Sequence, residues 1–180
     1  MPFKNTMTSY GSVTKFFHWL IFLLLFFMII YGFFLDDFPK SYQPLTYNIH
    51  KLIGLLILVL MIMRGTWALF NVKPPLPFNI STWQRWAERS VHLALYFFVF
   101  AMPLAGWIGS SAAGRLPHLG PYALALKVPQ NKSLVETSFY LHNKIAFVLI
   151  ALFCIHAGAA LYHQFVRKDD ILKRMLPTRS

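Results

Sequence analysis

The sequence predicts an all-α integral membrane protein, a four-helix bundle that forms one domain over residues 1–180. Hydrophobic residues make up 57% of the chain and charged residues only 13%, against about 45–50% and about 25% in soluble domains. A chain of 180 residues has too much surface for its volume to bury so many apolar side chains. The composition therefore disfavours a soluble enzyme, a disordered chain and a nucleic-acid-binding domain, and it indicates a lipid bilayer as the surroundings.

The first predicted helix, near 14–35, contains 20 consecutive residues without Asp, Glu, Lys or Arg. About 20 apolar residues cross the hydrocarbon core of a bilayer. A secretory signal peptide has a shorter apolar core of about 7–15 residues and a small-residue cleavage site. Here the core is longer and aromatic-rich, and Asp36 and Asp37 follow it. The sequence therefore predicts a retained membrane helix.

Three further stretches predict the remaining helices, near 45–70, 84–112 and 138–167. The first of these is less uniform, because Lys51 and Arg64 bound an uncharged run of only 12 residues. The segment around those two charges is nevertheless apolar and long enough to span. The last two stretches contain 25 and 22 consecutive residues without a formal charge, which is enough for a crossing.

Lys and Arg are unevenly divided between the two ends of the predicted bundle. The N-terminus, the connection between the second and third helices and the C-terminus carry 11 of the 17, and the opposite end carries 6. Loops rich in Lys and Arg remain in the cytoplasm. We therefore expect a multi-pass membrane protein with both termini in the cytoplasm.

Histidine is the residue type that indicates chemistry in this chain. Five of the seven histidines fall in or at the ends of the apolar stretches: His18, His50, His92, His142 and His156. A polar side chain in hydrocarbon is costly and usually faces the bundle interior or a cavity. Any one of them alone is most simply a hydrogen-bonded interior residue, so the argument depends on how the set is spaced.

The spacing pairs four of these histidines by depth. His142 and His156 are 14 residues apart, which is nearly four turns, so they share a face and lie about 21 Å apart at ~1.5 Å per residue. His50 begins the second helix at the outer end with His142, and His18 begins the first helix at the inner end with His156. Two histidines on facing helices, one on each side of a flat ring, hold a non-covalent b-type haem. Because Cys154 is the only cysteine, a CxxCH attachment for covalent haem is excluded.

Arg64 follows His50 by 14 residues and therefore shares its interior face at the inner depth. A haem carries two carboxylates, and an arginine at this depth would pair a propionate with two parallel hydrogen bonds. The alternative is a side chain that extends along the helix end to the bilayer interface.

The chain resembles the bacterial cytochrome b561 family from about Tyr10 to Pro177. The segments that carry the resemblance are Phe17-His18-Trp19, Asn48-Ile49-His50-Lys51, His92, Leu141-His142, His156-Ala157 and the tail 168–177. The resemblance implies a four-helix bundle with two haems b, one ligated by His18 and His156 and the other by His50 and His142. It also implies superoxide oxidase activity, in which superoxide gives its electron through the haems to ubiquinone. The family is also similar to haem-b anchor subunits that link a hydrogenase or dehydrogenase partner to the quinone pool.

Two further histidines have expected roles and simpler alternatives. His92, early in the third helix, would bond a haem propionate or serve as a third candidate ligand of the inner haem. His163, seven residues after His156 and nearer the cytoplasm, would bond a quinone carbonyl. The alternative for both is an interfacial histidine bonded to water or backbone. Asp169 and Asp170 lie among basic residues, and we expect them to be solvated.

The competing functions differ in what they require of the outer end. Superoxide is an anion, and fast capture requires a positive field near the entry. The outer segments contain six basic residues against three acidic ones; Lys51 adjoins His50, and Lys144 is two residues from His142. We expect these two lysines to steer superoxide, the alternative being that they anchor headgroups. An anchor subunit requires a docking face instead, and a metal or proton transporter requires interior carboxylates, which the apolar stretches lack.

Overall fold

The computed structural model describes residues 2–77, 80–169 and 171–177. Four long helices follow one another along the chain: α1 Ser12–Phe33, α2 Gln43–Leu69, α3 Thr82–Ala112 and α4 Lys132–Tyr162. Each span is long and apolar enough to cross a membrane, with a mean hydropathy of 1.8 to 2.3 over its most apolar window, where the fourth span runs on to Arg167. The prediction of four membrane-spanning helices is confirmed.

A narrow apolar seam holds the helices together. Its buried side chains come from all four helices: Phe17, Ile21, Met28, Ile57, Leu60, Met61, Val99, Met102 and Leu149. Large apolar side chains on the opposite faces are exposed, including Phe27, Val59, Phe97 and Phe147. In water that exposure would be unfavourable by roughly 25 cal/mol per Å² of apolar surface. These faces therefore suit contact with lipid chains.

The ends of α4 differ from the sequence expectation. The helix begins at Lys132, six residues before the expected start at 138, because the Asn131 side chain accepts hydrogen bonds from the backbone N–H groups of Ser133 and Leu134 at 2.8 and 3.2 Å. An asparagine in this position is a strong helix N-cap. Beyond Tyr162 the chain continues as a π-helical turn, His163–Arg167, and Lys168 then adopts a left-handed conformation.

The loop between α3 and α4 contains a small β-hairpin that the all-α prediction lacked. Strands β1 (His118–Leu119) and β2 (Tyr122–Ala123) pair antiparallel around Gly120, whose φ is +59°. Asn48 of α2 holds the hairpin, because its side chain both accepts from His118 N–H at 2.7 Å and donates to His118 O at 2.9 Å. Two-residue strands give almost no alternating pattern, so the sequence carried little signal for them.

Both terminal segments and the α2–α3 connection meet at one end of the bundle, here called the terminal end; the end with the hairpin is called the hairpin end. The tail 171–177 folds back over α1, where Lys15 Nζ donates to Leu176 O and Trp19 Nε1 donates to Met175 O, both at 2.9 Å. Lys15 is consequently only 7% exposed. The Lys and Arg residues grouped by sequence lie at this end, apart from Arg179, which is outside the described residues.

Candidate haem-binding sites

Near the hairpin end, His50 of α2 faces His142 of α4. Their ring centroids are 6.0 Å apart and their planes are inclined by 70°. His142 Nδ1 lies 2.8 Å from the backbone oxygen of Met102 on α3. A histidine that donates from Nδ1 to a carbonyl keeps the lone pair on Nε2, the tautomer suited to bind a metal. His50 Nδ1 is buried and has no hydrogen-bond partner among the described residues.

Two glycines leave room for these rings. A Cβ atom on Gly32 of α1 would lie 3.3 Å from His50 Cε1, and one on Gly106 of α3 would lie 3.0 Å from His142 Nδ1. Contacts this short would push the rings aside. All four helices therefore shape this site, two by supplying histidines and two by lacking a side chain.

Near the terminal end, three histidines converge. His18 of α1 and His156 of α4 have ring centroids 6.1 Å apart, with planes inclined by 60°. His92 of α3 lies nearer to His156, at 5.1 Å and 83°. We call these three residues the inner cluster. The structure thus brings together the second pair expected from spacing and places His92 directly against it.

Arg64 extends into the bundle beside the inner cluster. Its Nε donates to the Tyr96 hydroxyl at 3.2 Å, and its NH2 group lies 3.4 Å from His18 Nδ1. The guanidinium also lies over the Tyr96 ring, 5.2 Å from the centroid. These partners are uncharged or aromatic, so the half-buried cation is available to a carboxylate supplied by a bound group.

Glu88 is a residue of this site that the sequence reasoning missed. Its carboxylate oxygen lies 3.0 Å from His92 Nδ1 and 2.8 Å from Lys73 Nζ, and its backbone oxygen lies 2.7 Å from the same His92 nitrogen. Glu88 precedes the charge-free run of α3, so the apolar pattern that predicts the helix does not include it. The usable signal was the spacing of four residues between Glu88 and His92, which places both on one helix face.

His163 lies outside the inner cluster. Its Nδ1 lies 2.6 Å from Asp169 Oδ2, and the two side chains are only 14% and 10% exposed. The expectation that Asp169 is solvated was therefore wrong. The reason is local geometry: the π-turn and the left-handed Lys168 turn the chain back, so that Asp169 N–H also bonds His163 O at 3.2 Å. Asp170 lies outside the described residues.

Lys51 and Lys144 flank the outer histidine pair in different ways. Lys51 Nζ donates to the backbone oxygen of Arg115 at 2.7 Å and so ties α2 to the start of the hairpin loop. Lys144 is exposed, with Nζ 5.4 Å from the centroid of the Tyr140 ring. Lys51 is thus hydrogen-bonded within the protein, while the Lys144 side chain is exposed.

The histidine pairs fit haem iron by distance. Bonds from imidazole nitrogen to a first-row metal are about 2 Å long, which puts the centroids of two imidazoles on opposite sides of one ion roughly 6 Å apart. The two pairs have centroid separations of 6.0 and 6.1 Å. Across the described residues, no group of three or more His, Cys, Asp and Glu side chains has the arrangement of a bare metal-ion site.

Comparison with known proteins identifies the family of the chain. A family model described as prokaryotic cytochrome b561 matches residues 9–178, which include all four helices and every histidine of both sites. The chain is 32% identical to cytochrome b561 homolog 2 of Escherichia coli K12, over 98% of this chain and 95% of that protein. It is 29% identical to cytochrome b561 homolog 1 of the same organism, over 96% and 99%. It is also 32% identical to a probable superoxide oxidase CybB of Yersinia pestis, over 90% and 92%.

The match over nearly the whole chain confirms the resemblance found in the residue pattern. Four membrane-spanning helices together with a bacterial family indicate a multi-pass protein of the inner membrane. The chain belongs to the prokaryotic cytochrome b561 family, whose members transfer electrons in the membrane by means of b-type haem.

Proposed function

We propose that the protein is a di-haem superoxide oxidase, which oxidises superoxide at the hairpin end and reduces ubiquinone in the bilayer. The observation that carries the proposal is the pair of sites on α4, where His142 and His156 each face a second histidine at about the separation that one iron requires. When bound, haem b supplies a one-electron carrier at each site. Each superoxide loses one electron and becomes O₂, and each ubiquinone takes up two electrons and two protons.

The four pairing histidines would bind the haem iron in this proposal. His50 and His142 would hold the outer haem, and His18 and His156 would hold the inner one. The Met102 carbonyl fixes the His142 ring with Nε2 free to bind. Gly32 keeps the space that the His50 ring needs.

Arg64 and His92 are the proposed contacts of the inner haem's propionates. Arg64 is a half-buried cation whose partners among the described residues are Tyr96 and His18, so a propionate would supply the carboxylate partner that Arg64 lacks. Glu88 engages His92 Nδ1, and when both ring nitrogens of His92 carry protons, its Nε2–H would donate to a propionate. Glu88 thereby positions His92 through a hydrogen bond rather than by touching the haem.

The two substrates enter at opposite ends in this account. Lys144 and, more weakly, Lys51 attract superoxide to the outer site, because an exposed cation contributes more to the field than one bonded to a carbonyl. Ubiquinone binds at the terminal end, where His163, when both of its ring nitrogens carry protons, would donate from Nε2–H to a quinone carbonyl. The Asp169 carboxylate orients that ring. The terminal end faces the cytoplasm, in keeping with its larger share of Lys and Arg.

The test is rapid mixing of the purified haem-loaded protein with superoxide, with and without ubiquinone. We expect superoxide to reduce the haem during the rapid-mixing measurement, and we expect reoxidation of the haem to require ubiquinone. Superoxide that disappears only at its spontaneous rate, with haem left oxidised, would exclude the proposal.

A haem-bearing anchor for a partner dehydrogenase or hydrogenase is the second candidate. The observation in its favour is the hairpin, whose Leu119 and Tyr122 side chains are large, apolar and exposed at the hairpin end. An anchor would receive electrons from a docked protein or from quinol. Haem reduction by ubiquinol but not by superoxide would favour this second function.

A further inference from the structure

A cavity lies at the terminal end, apart from both pairs of haem ligands. Its volume is about 250 Å³. The lining residues come from the α2–α3 connection and the first turns of α3: Lys73, Pro74, Pro75, Leu76, Arg85, Glu88 and Arg89. We call it the Arg89 cavity.

The Arg89 cavity carries an excess of positive charge. Three of its residues are cations and one is a carboxylate. The Glu88 carboxylate already has two partners, Lys73 Nζ at 2.8 Å and His92 Nδ1 at 3.0 Å. Arg85 uses part of its guanidinium to hold the backbone oxygens of Ile80 and Pro77. The field inside the cavity therefore favours an anion.

Arg89 is the cation with the most freedom to bind one. Its side chain is exposed and makes no hydrogen bond to any of the residues that the structure describes. Its guanidinium instead lies over the Trp86 ring, 5.8 Å from the centroid. Stacking on an aromatic face holds the planar group in place while its N–H donors stay available.

The position along α3 identifies the kind of anion. Trp83 and Trp86 lie in the first two turns of this membrane-spanning helix and are 70% and 64% exposed. Exposed tryptophans at the end of a membrane helix lie at the level of the lipid headgroups. The anion abundant at that level is the phosphate of phospholipids, and arginine matches phosphate with paired hydrogen bonds.

We propose that the Arg89 cavity binds the phosphate of an anionic phospholipid, with Arg89 as the principal donor and Lys73 contributing its charge. Trp86 holds the guanidinium toward the headgroup. Because Glu88 bridges Lys73 and His92, the lipid site shares a wall with the inner cluster. The proposal does not depend on which electron donor or acceptor the protein uses.

The test measures lipid binding to the delipidated, haem-loaded protein by native mass spectrometry during titration with phosphatidylglycerol. The variants are Arg89→Gln and Trp86→Leu. The matched control is Arg115→Gln, which removes the same charge from an exposed arginine at the hairpin end. Phosphatidylcholine and inorganic phosphate serve as the alternative ligands. The haem absorbance spectrum verifies that each variant is folded.

We expect Arg89→Gln to weaken phosphatidylglycerol binding about ten-fold, which corresponds to about 1.4 kcal/mol. We expect Trp86→Leu to weaken it less and Arg115→Gln to leave it unchanged. Equal binding by wild type and both variants would overturn the proposal, as would an equal loss in Arg115→Gln. If inorganic phosphate displaces phosphatidylglycerol when the two are at equal concentration, the cavity is a site for soluble anions. That result would overturn the assignment to phospholipid. If Arg89→Gln fails to fold, the comparison of phosphatidylglycerol binding between Trp86→Leu and Arg115→Gln tests the proposal.

Discussion

Glu88 and His92 lie one turn apart on α3, and the His92 Nδ1 atom is held by both the backbone oxygen and the carboxylate of Glu88, at 2.7 and 3.0 Å. The His92 ring in turn lies 5.1 Å from the ring of His156. A negative charge is thus separated from His156 by a single imidazole, that of His92. Charges and hydrogen bonds around the ligands are among the main means by which a protein sets a haem potential.

The first prediction follows from that charge. Glu88→Gln should raise the midpoint potential of one haem by on the order of tens of millivolts, because a carboxylate favours the more positive ferric state. Spectroelectrochemical titration measures both potentials in one sample. The matched control is Glu136→Gln, since Glu136 is exposed at the other end and its ion-pair partner among the described residues is Lys132, at 3.7 Å. A Glu88 variant with unchanged potentials would show that the charge does not reach the inner haem.

The second prediction concerns the space beside the outer pair. Gly106→Ala places a methyl group 3.0 Å from the His142 ring. Overpacking costs about 1–3 kcal/mol, so we expect affinity for the outer haem to fall at least about five-fold. Haem titration followed by absorbance measures this. Gly54→Ala is the control, because its Cβ would meet only Pro103 Cβ at an ordinary 3.8 Å; equal affinities in the two variants would contradict the close-approach argument.

The third prediction concerns superoxide. Lys144→Glu should slow superoxide-driven haem reduction about two- to five-fold at low salt, and rising salt should reduce the difference, because screening shortens the reach of the field. Replacing Lys144 changes the charge at the hairpin end without breaking a hydrogen bond to the loop, whereas replacing Lys51 also breaks its bond to Arg115 O. Lys4→Glu, at the terminal end, is the control and should have the wild-type rate. Rates indifferent to salt and to charge reversal would favour the anchor function.

The fourth prediction concerns ubiquinone. His163→Ala should raise the KM for ubiquinone several-fold while leaving haem reduction by superoxide unchanged, because His163 lies outside the inner cluster and is held by Asp169. Steady-state turnover at varied quinone concentration separates KM from kcat. Asp169→Asn keeps the shape of the partner and should have a smaller effect. Unchanged quinone kinetics in His163→Ala would show that quinone does not bind at His163.

Helical periodicity explains why much of the bundle was predictable. The spacing of 14 residues between His142 and His156 is nearly a whole number of turns, so both rings had to share one face of α4 whatever the details of packing. The same rule placed Arg64 on the interior face of α2. Apolar length alone predicted the four spans, which the structure confirms.

The features that the sequence did not reveal depend on contacts between distant or irregular segments. The hydrogen bond from Asn48 to His118 joins residues 70 positions apart, and no local sequence pattern predicts it. The pairing of His163 with Asp169 requires a π-turn and a left-handed Lys168, which ordinary helix periodicity does not describe. Lys15 is one of the basic residues counted at the N-terminus, and its burial under the tail depends on contact with residues about 160 positions away.

The most direct test of the whole account is haem stoichiometry in matched histidine variants. The pyridine haemochrome assay and the reduced-minus-oxidised spectrum should give two haems b per chain in the wild type. They should give one in His142→Ala and one in His156→Ala, with the remaining haem differing in potential between the two. His118→Ala, in the hairpin, should retain both. A wild type with a single haem, or full haem content in His156→Ala, would contradict the two-pair assignment.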